Sequence, residues 1–323
     1  MSVARRSDGL PLYQDLPVAP GVAARTSWGL YGPDDEVGSI NLLTPDRVRE
    51  AAALVRTGHV FPLNLDLELV DPPLSGRRMF EHHIMVSDRG TEDWYDAFYP
   101  QAASQWDALS HCGHPRLGFY NGHQVSEITG KAGTPNGIDN WARRGIAGRF
   151  VLADVGRYRD AVGRPIDHAV SDIVTLEDLE ETLAAAGVEQ APGDILLVRT
   201  GWLTWYATTE QATRDAMGAD LGYATPGLEC TERIAEWLWD HEIAAIVADN
   251  PGVEVVPVIQ EDVETFLHFR LIPLLGMAMA ELFDLDGLAA DCATDGVYQG
   301  FFTAAPMNKV GGSGSTGNAL AIK

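Results

Sequence analysis

The stretch VTLEDLEETLAAAGVEQAPGDILLVRTG, residues 174–201, decides the fold class. Thr175 caps a helix that Gly187 stops, and GDILLVRTG, which follows, reads as a buried strand. The same alternation continues on both sides. GRFVLADV (148–155) reads as a strand, TPGLECTERIAEWLWDHE (225–242) as a helix and IAAIVADN (243–250) as a strand ending on Asp249. FLHFRLIPLLGMAMAELFDL and the short helix LDGLAADCA come next. Strand–helix–strand alternation predicts an α/β domain with at least some parallel pairing.

The first half is less regular. LLTPDRVREAAALVRTGH (42–59) predicts a helix with Thr44 as N-cap, Pro45 in the first turn and Gly58 past its end. VFPLNLDLEL (60–69) alternates apolar and polar residues like a half-buried strand. From Leu74 to Gly137 apolar runs are few while Gly, His and aromatics are many, which suits a functional loop system. Residues 1–26 read as an extended arm on the surface or on a partner subunit, and 27–323 as one continuous domain. The apolar ending NALAIK suits a final strand.

Composition narrows the function. A net charge of −23 over 323 residues offers no basic stripe to phosphates, which excludes nucleic acid and disfavours anionic membranes. No stretch suggests a membrane span, and MSVARRSDGLPLYQ lacks the apolar core of a secretory signal. Three cysteines, Cys112, Cys230 and Cys292, are an odd number at wide spacing; a reducing cytoplasm fits better than a disulfide framework.

Chemistry concentrates in QAASQWDALSH, residues 101–111. Asp107 and His111, four apart, suit either a shared ion or substrate or a simple surface pair; His114 and His123 follow closely. Glu281 lies in so apolar a run that burial is expected, so it needs a cation, a hydrogen-bond network or a proton. Arg199 or Arg270 would serve as a structural partner. His268 is open to a core or a site role. Asp249 and Glu254 end a predicted strand, where site residues gather in α/β folds, but Asn250-Pro251 also favours a plain turn. Cys112 suits a buried thiol better than a nucleophile beside His111. No GxGxxG, Walker, GxSxG or HExxH motif competes.

Taken together, WGLYGPDDEVGSINLLTPDRV, SQWDALSH with FYNG, GIDNWARRGIAGRFVLADV, GDILLVRTGW, DNPGVEVVP, LLGMAMAELFDLDGLA and GSGSTGNALAI resemble the cyclase family. That group of metal-dependent hydrolases includes kynurenine formamidase and isatin hydrolase. The resemblance runs over roughly 27–322 and implies a single-domain swivelling β/β/α fold with a mixed sheet and flanking helices, in a homodimer or higher homo-oligomer.

The family signature is His-x-Gly-Thr-His-x-Asp-x-x-x-His, with a later His and Glu. Asp107 and His111 match its end, and His268 and Glu281 match the distal pair. Gln101 and Gln105 stand where its first two histidines would be, and Ala103-Ser104 replaces Gly-Thr. The resemblance therefore implies a reduced site of Asp107, His111, His268 and Glu281 for one divalent ion. Exchanging nitrogen for oxygen donors favours Mn²⁺ or Mg²⁺ relative to Zn²⁺, though Mn²⁺ or Zn²⁺ are the first expectations.

The expected activity is hydrolysis of an amide, lactam, lactone or ester bond in a small cyclic or aryl substrate, by metal-activated water. His111 or Glu281 would move the proton, Gln105 would orient water or carbonyl, and Gln101, Trp106 and Tyr120 would contact substrate. Trp94, Phe98 and Phe119 are further candidates for the pocket wall, or for core. Competing readings are a metal-free acid–base lyase, isomerase or cyclase, and a non-catalytic binding protein.

Overall fold

The computed structural model describes residues 10–17, 21–220, 222–257 and 266–323. Its strands in chain order are β1 (Val60–Pro62), β2 (Glu81–Ser87), β3 (Gly90–Asp96), β4 (Gln105–Asp107), β5 (Ile146–Asp154), β6 (Ile173–Val174) and β7 (Ile195–Arg199). They continue with β8 (Gly227–Leu228), β9 (Ala245–Ala248), β10 (Ala278–Glu281), β11 (Gln299–Ala304), β12 (Gly314–Thr316) and β13 (Ala319–Ile322). Nine form one mixed sheet in the order β1-β13-β11-β5-β7-β9-β10-β4-β12. The centre, β5-β7-β9-β10, is parallel, as the alternating second half predicts, and antiparallel strands extend it on both sides.

The sheet curls strongly. The last two strands lie near its opposite ends, yet only residues 317–318 separate them. Three Cα steps span at most about 11 Å. The Trp106 ring on β4 also sits 6.2 Å from Phe302 on β11. In a flat sheet five strand spacings would hold them roughly 24 Å apart. Trp106, Phe302, Trp141 and Phe283 fill the inside of this curl, with Trp106 edge-on to the other three. Burying aromatics of this size contributes much of the apolar stabilisation.

Helices flank the sheet, and their ends follow the chemistry read from the sequence. Thr175 and Asp178 form a reciprocal capping box that starts helix Leu176–Ala185. Thr44 caps helix Pro45–Ala52. That helix stops well before Gly58, because the amides of Thr57 and Gly58 turn aside to donate to the Lys323 carbonyl at 3.1 and 2.7 Å. The strand expected over 60–69 is likewise short. After β1 the chain leaves the sheet, and Leu65, Val70 and Leu74 build a second apolar cluster with Trp202 and Tyr206. The helix expected over 225–242 begins only at Glu232; Thr225 and β8 are extended and pair with Val256 and β6.

Of the expected arm, 1–9 and 18–20 lie outside the described residues. Its described part packs on this chain's own helix Glu232–Asp240. Tyr13 and Leu16 are buried, and the Tyr13 amide donates to Asp240 Oδ1 at 2.7 Å. Among the described residues no helix is long and apolar enough to cross a membrane.

Candidate metal centre

Pairing of β4 with β10 and β12 builds the site. Glu281 lies opposite Gln105, and Met279 opposite Asp107. Residues facing one another across a ladder share a face, so Gln105, Asp107 and Glu281 project together, away from the Trp106 interior. Thr316 and Gly314 lie opposite Gln105 and Asp107 on the other side. A Cβ at Gly314 would crowd the Gln101 side-chain amide and lie 3.0 Å from the Trp106 carbonyl oxygen, so Gln101 would have to shift.

His268 arrives from the short helix Leu267–Phe269, which runs straight into a π turn over Arg270–Leu274 containing Pro273. Such irregular helical turns often mark functional sites. Its ring stacks on Phe266 at 5.0 Å between centroids. Its Nε2 lies 3.1 Å from Glu281 Oε1 and 3.7 Å from Asp107 Oδ2. Its Nδ1 contacts Glu254 Oε1, while Glu254 Oε2 accepts the Leu267 amide at 2.5 Å. Glu254 thereby fixes the imidazole with Nε2 turned toward the other two acids.

One ligand atom each from Asp107, His268 and Glu281 lies within 4.8 Å of the others, and all three residues are buried. His111 stands outside this group. Its Nε2 is 3.6 Å from Asp107 Oδ1, and its side chain is partly exposed. Gln105 donates from Nε2 to Glu281 Oε2.

The donor set fits a divalent cation. Both carboxylate oxygens of Asp107 and the amide oxygen of Gln105 are buried without a hydrogen-bond partner among the described residues. Leaving such atoms unsatisfied costs about 1–3 kcal/mol each, more when charged, so the arrangement is one that an ion between them relieves. Burial opposes ionisation of Asp107, but His111 and His268 outweigh it and hold the carboxyl below its usual range. Burial likewise opposes the His268 imidazolium, and Glu254, Asp107 and Glu281 overcome it, raising its pKa well above the ordinary value. Glu254 is pushed up by burial against the opposing pull of His268.

A cavity of about 790 Å³ opens beside the group, lined in part by His268, Glu281, Glu254 and Gln101. That volume suits a small molecule. Of the two candidates for proton transfer, Glu281 reaches this wall and His111 does not.

Two expected substrate contacts take other places. Trp106 is fully buried and its indole N–H donates to the Gly317 carbonyl at 2.8 Å, because strand alternation turns it away from its neighbours Gln105 and Asp107. Tyr120 is also core, its hydroxyl donating to Asp35 at 3.0 Å. Trp94 is exposed on the β2–β3 hairpin, stacked on His83. The arginine partners considered for Glu281 are engaged elsewhere, Arg199 with Asp154 and Asp286 and Arg270 near Glu232. Asp249 accepts from Thr200 and Gly201 and has a structural role. His114 and His123 do not join the group; His123 pairs with Glu127. Burial pushes the Cys112 thiol up to about 12, unsuited to a thiolate nucleophile.

Among solved structures, one described as a novel cyclase superposes with a TM-score of 0.82 at 29% identity, covering 92% of this chain and 99% of its own. Isatin hydrolase A from Labrenzia aggregata, bound to benzyl benzoate, gives a TM-score of 0.59 at 18% identity, covering 84% and 95%. An isatin hydrolase bound to the product analogue thioisatinate gives 0.56 at 18% identity, covering 82% and 92%. The last two share the fold. No protein of curated function matches the chain by sequence. The Cyclase family model, described as "Putative cyclase", matches residues 42–255, about two thirds of the sequence. With that match and the shared architecture, the chain belongs to the Cyclase family.

Proposed function

We propose that this protein is a metal-dependent hydrolase that cleaves an amide, lactam, lactone or ester bond in a small cyclic or aryl substrate. The observation that carries the reading is the buried Asp107–His268–Glu281 group, with its unsatisfied Asp107 oxygens, beside a cavity of substrate size. Asp107, His268 and Glu281 would hold one ion, Mn²⁺ or Zn²⁺, with the Gln105 amide oxygen beside them. When bound, such an ion supplies a Lewis acid that polarises a carbonyl and acidifies water.

The chain's own groups supply the rest. Glu254 at Nδ1 keeps the His268 ring in one orientation and so keeps Nε2 free to face the acids. Glu281, at the cavity wall, takes a proton on a carboxylate oxygen and returns it to the leaving nitrogen or oxygen. Gln105 holds the second Glu281 oxygen by its amide N–H, which limits rotation of that carboxylate. His111, 3.6 Å from Asp107, keeps that carboxyl ionised. The neighbours named isatin hydrolases support hydrolysis on this fold.

The test is elemental mass spectrometry of protein purified without affinity metal, beside Asp107→Ala and Glu281→Ala. We expect about one metal ion per wild-type chain and little in either variant. Hydrolysis of a panel of aryl amides, lactams and lactones should disappear with a chelator and return with metal. Absence of metal even after incubation with Mn²⁺, Zn²⁺ or Mg²⁺ would refute the reading, and chelator-resistant turnover would assign the chemistry to metal-free acid–base catalysis.

A further inference from the structure

Arg77 stands on the wall of the same cavity, presented by a tight turn. The Leu74 carbonyl accepts the Arg77 amide at 3.3 Å, and the two intervening residues, Ser75 and Gly76, have φ of 61° and 71°. Positive φ at both central positions is the type I′ pattern, which glycine adopts freely and serine rarely. Ser75 Oγ lies 3.3 Å from the Tyr223 hydroxyl, tying the turn to another residue that lines the cavity.

Arg77 is half-buried, and its side chain makes no hydrogen bond or ion pair with any described residue. That is unusual within this chain. Arg149, Arg159 and Arg199, which are similarly sheltered, each pair with a carboxylate. Arg77 therefore offers its N–H donors on the cavity wall with no acceptor for them among the described residues. Much of the cavity wall is apolar, with Val70, Leu74, Val256, Phe266 and Leu282.

We infer that Arg77 binds a carboxylate of the substrate, which is then a small anionic acid whose scissile bond lies at the Asp107–His268–Glu281 floor while an apolar or aryl group packs on the cavity wall. This rests on the hydrolase reading above. Among the described residues lining the cavity, Arg77 is the cation that stands outside the Asp107–His268–Glu281 group, so it is the group placed to take a substrate anion without displacing a metal ligand. A planar guanidinium takes both carboxylate oxygens at once, which lysine cannot do.

The experiment compares hippurate, an aryl amide carrying a carboxylate, with its neutral analogue hippuramide, by calorimetry on the Zn²⁺-loaded protein. Wild type should bind hippurate more tightly than hippuramide. Arg77→Gln should weaken hippurate roughly 10- to 100-fold, Arg77→Lys by less, and hippuramide should bind all three alike. If hippurate binds no better than hippuramide, or Arg77→Gln loses nothing, the inference is overturned. Metal content of the same samples keeps the two readings apart. Arg77 is not a ligand, so zinc should remain in Arg77→Gln, whereas failure of wild type to hold zinc counts against the hydrolase reading alone. Equal melting temperatures for wild type and Arg77→Gln should accompany the expected result, because no described contact is lost.

Discussion

Replacing Glu254 by glutamine is expected to leave the protein folded while loosening its hold on metal. Glu254 is buried and receives two groups, His268 at one oxygen and the Leu267 amide at the other. Glutamine keeps the volume but has one acceptor oxygen, so its NH₂ must confront either His268 Nδ1 or the Leu267 N–H. The first outcome forces the proton onto Nε2, the atom that faces Asp107 and Glu281. The second sets two donors against each other and shifts the ring. Losing a partner of this kind typically costs 10- to 100-fold in metal affinity, about 1.4–2.7 kcal/mol.

Asp249 is the control, an equally buried acid five residues earlier. Its Oδ1 accepts from Thr200 N and Oγ1 at 2.8 and 2.7 Å, and its Oδ2 from Gly201 N at 2.7 Å. Asparagine satisfies only one oxygen's partners, so Asp249→Asn should cost about 2–3 kcal/mol of stability. For a chain of 323 residues that is roughly 3–4 °C in Tm. Calorimetric metal titration and thermal melting of both variants form the assay. The reasoning is refuted if Glu254→Gln binds metal within threefold of wild type, or if folded Asp249→Asn loses metal as Glu254→Gln does.

Other outcomes follow from single contacts. Burial pushes both the Cys112 and Cys230 thiols up to about 12. Against an ordinary value near 8.5, their thiolate fraction at pH 8 is lower by roughly a thousandfold. Iodoacetamide should thus label them at least a hundredfold more slowly in native protein than in urea, as read by mass spectrometry. Gly227→Ala places a Cβ about 2.2 Å from the Glu254 carbonyl carbon, a backbone atom that cannot swing away. It should destabilise by about 3 kcal/mol and weaken metal binding too, whereas Gly163→Ala, with nothing within 4 Å of its Cβ, should cost about 1 kcal/mol and leave metal binding unchanged.

The parallel centre of the sheet was legible because each of its strands is a short apolar run bounded by turn residues, as in residues 195–199, and its helices carry explicit caps such as Thr175. The strand over 60–69 was harder, because alternation also describes an extended segment that soon leaves the sheet to pack Leu65 and Val70 elsewhere. At the site, Asp107, His268 and Glu281 were found through the family resemblance, and the apolar run around Glu281 independently called for a partner. Trp106 lies in the core and not at the substrate, and the rule that places it there is in the sequence: in Gln105-Trp106-Asp107, extended backbone must send the middle residue to the opposite face. Glu254 reads from the sequence as a strand-end residue, but its tie to His268, fourteen residues on, depends on a loop conformation that no local pattern encodes. Arg77 left only the Ser-Gly pair before it as a signal, a turn with no stated purpose.

The two residues between β12 and β13 have a consequence for how the protein resists misassembly. Because they join strands from opposite ends of the sheet order, they act as a clasp that keeps the two margins of the sheet close together. Open margins are where sheets recruit other chains. An insertion at 317–318 would therefore release β12 and, with it, the outer support of β4, so that aggregation and loss of Asp107 placement should arrive together from a lesion outside both strands.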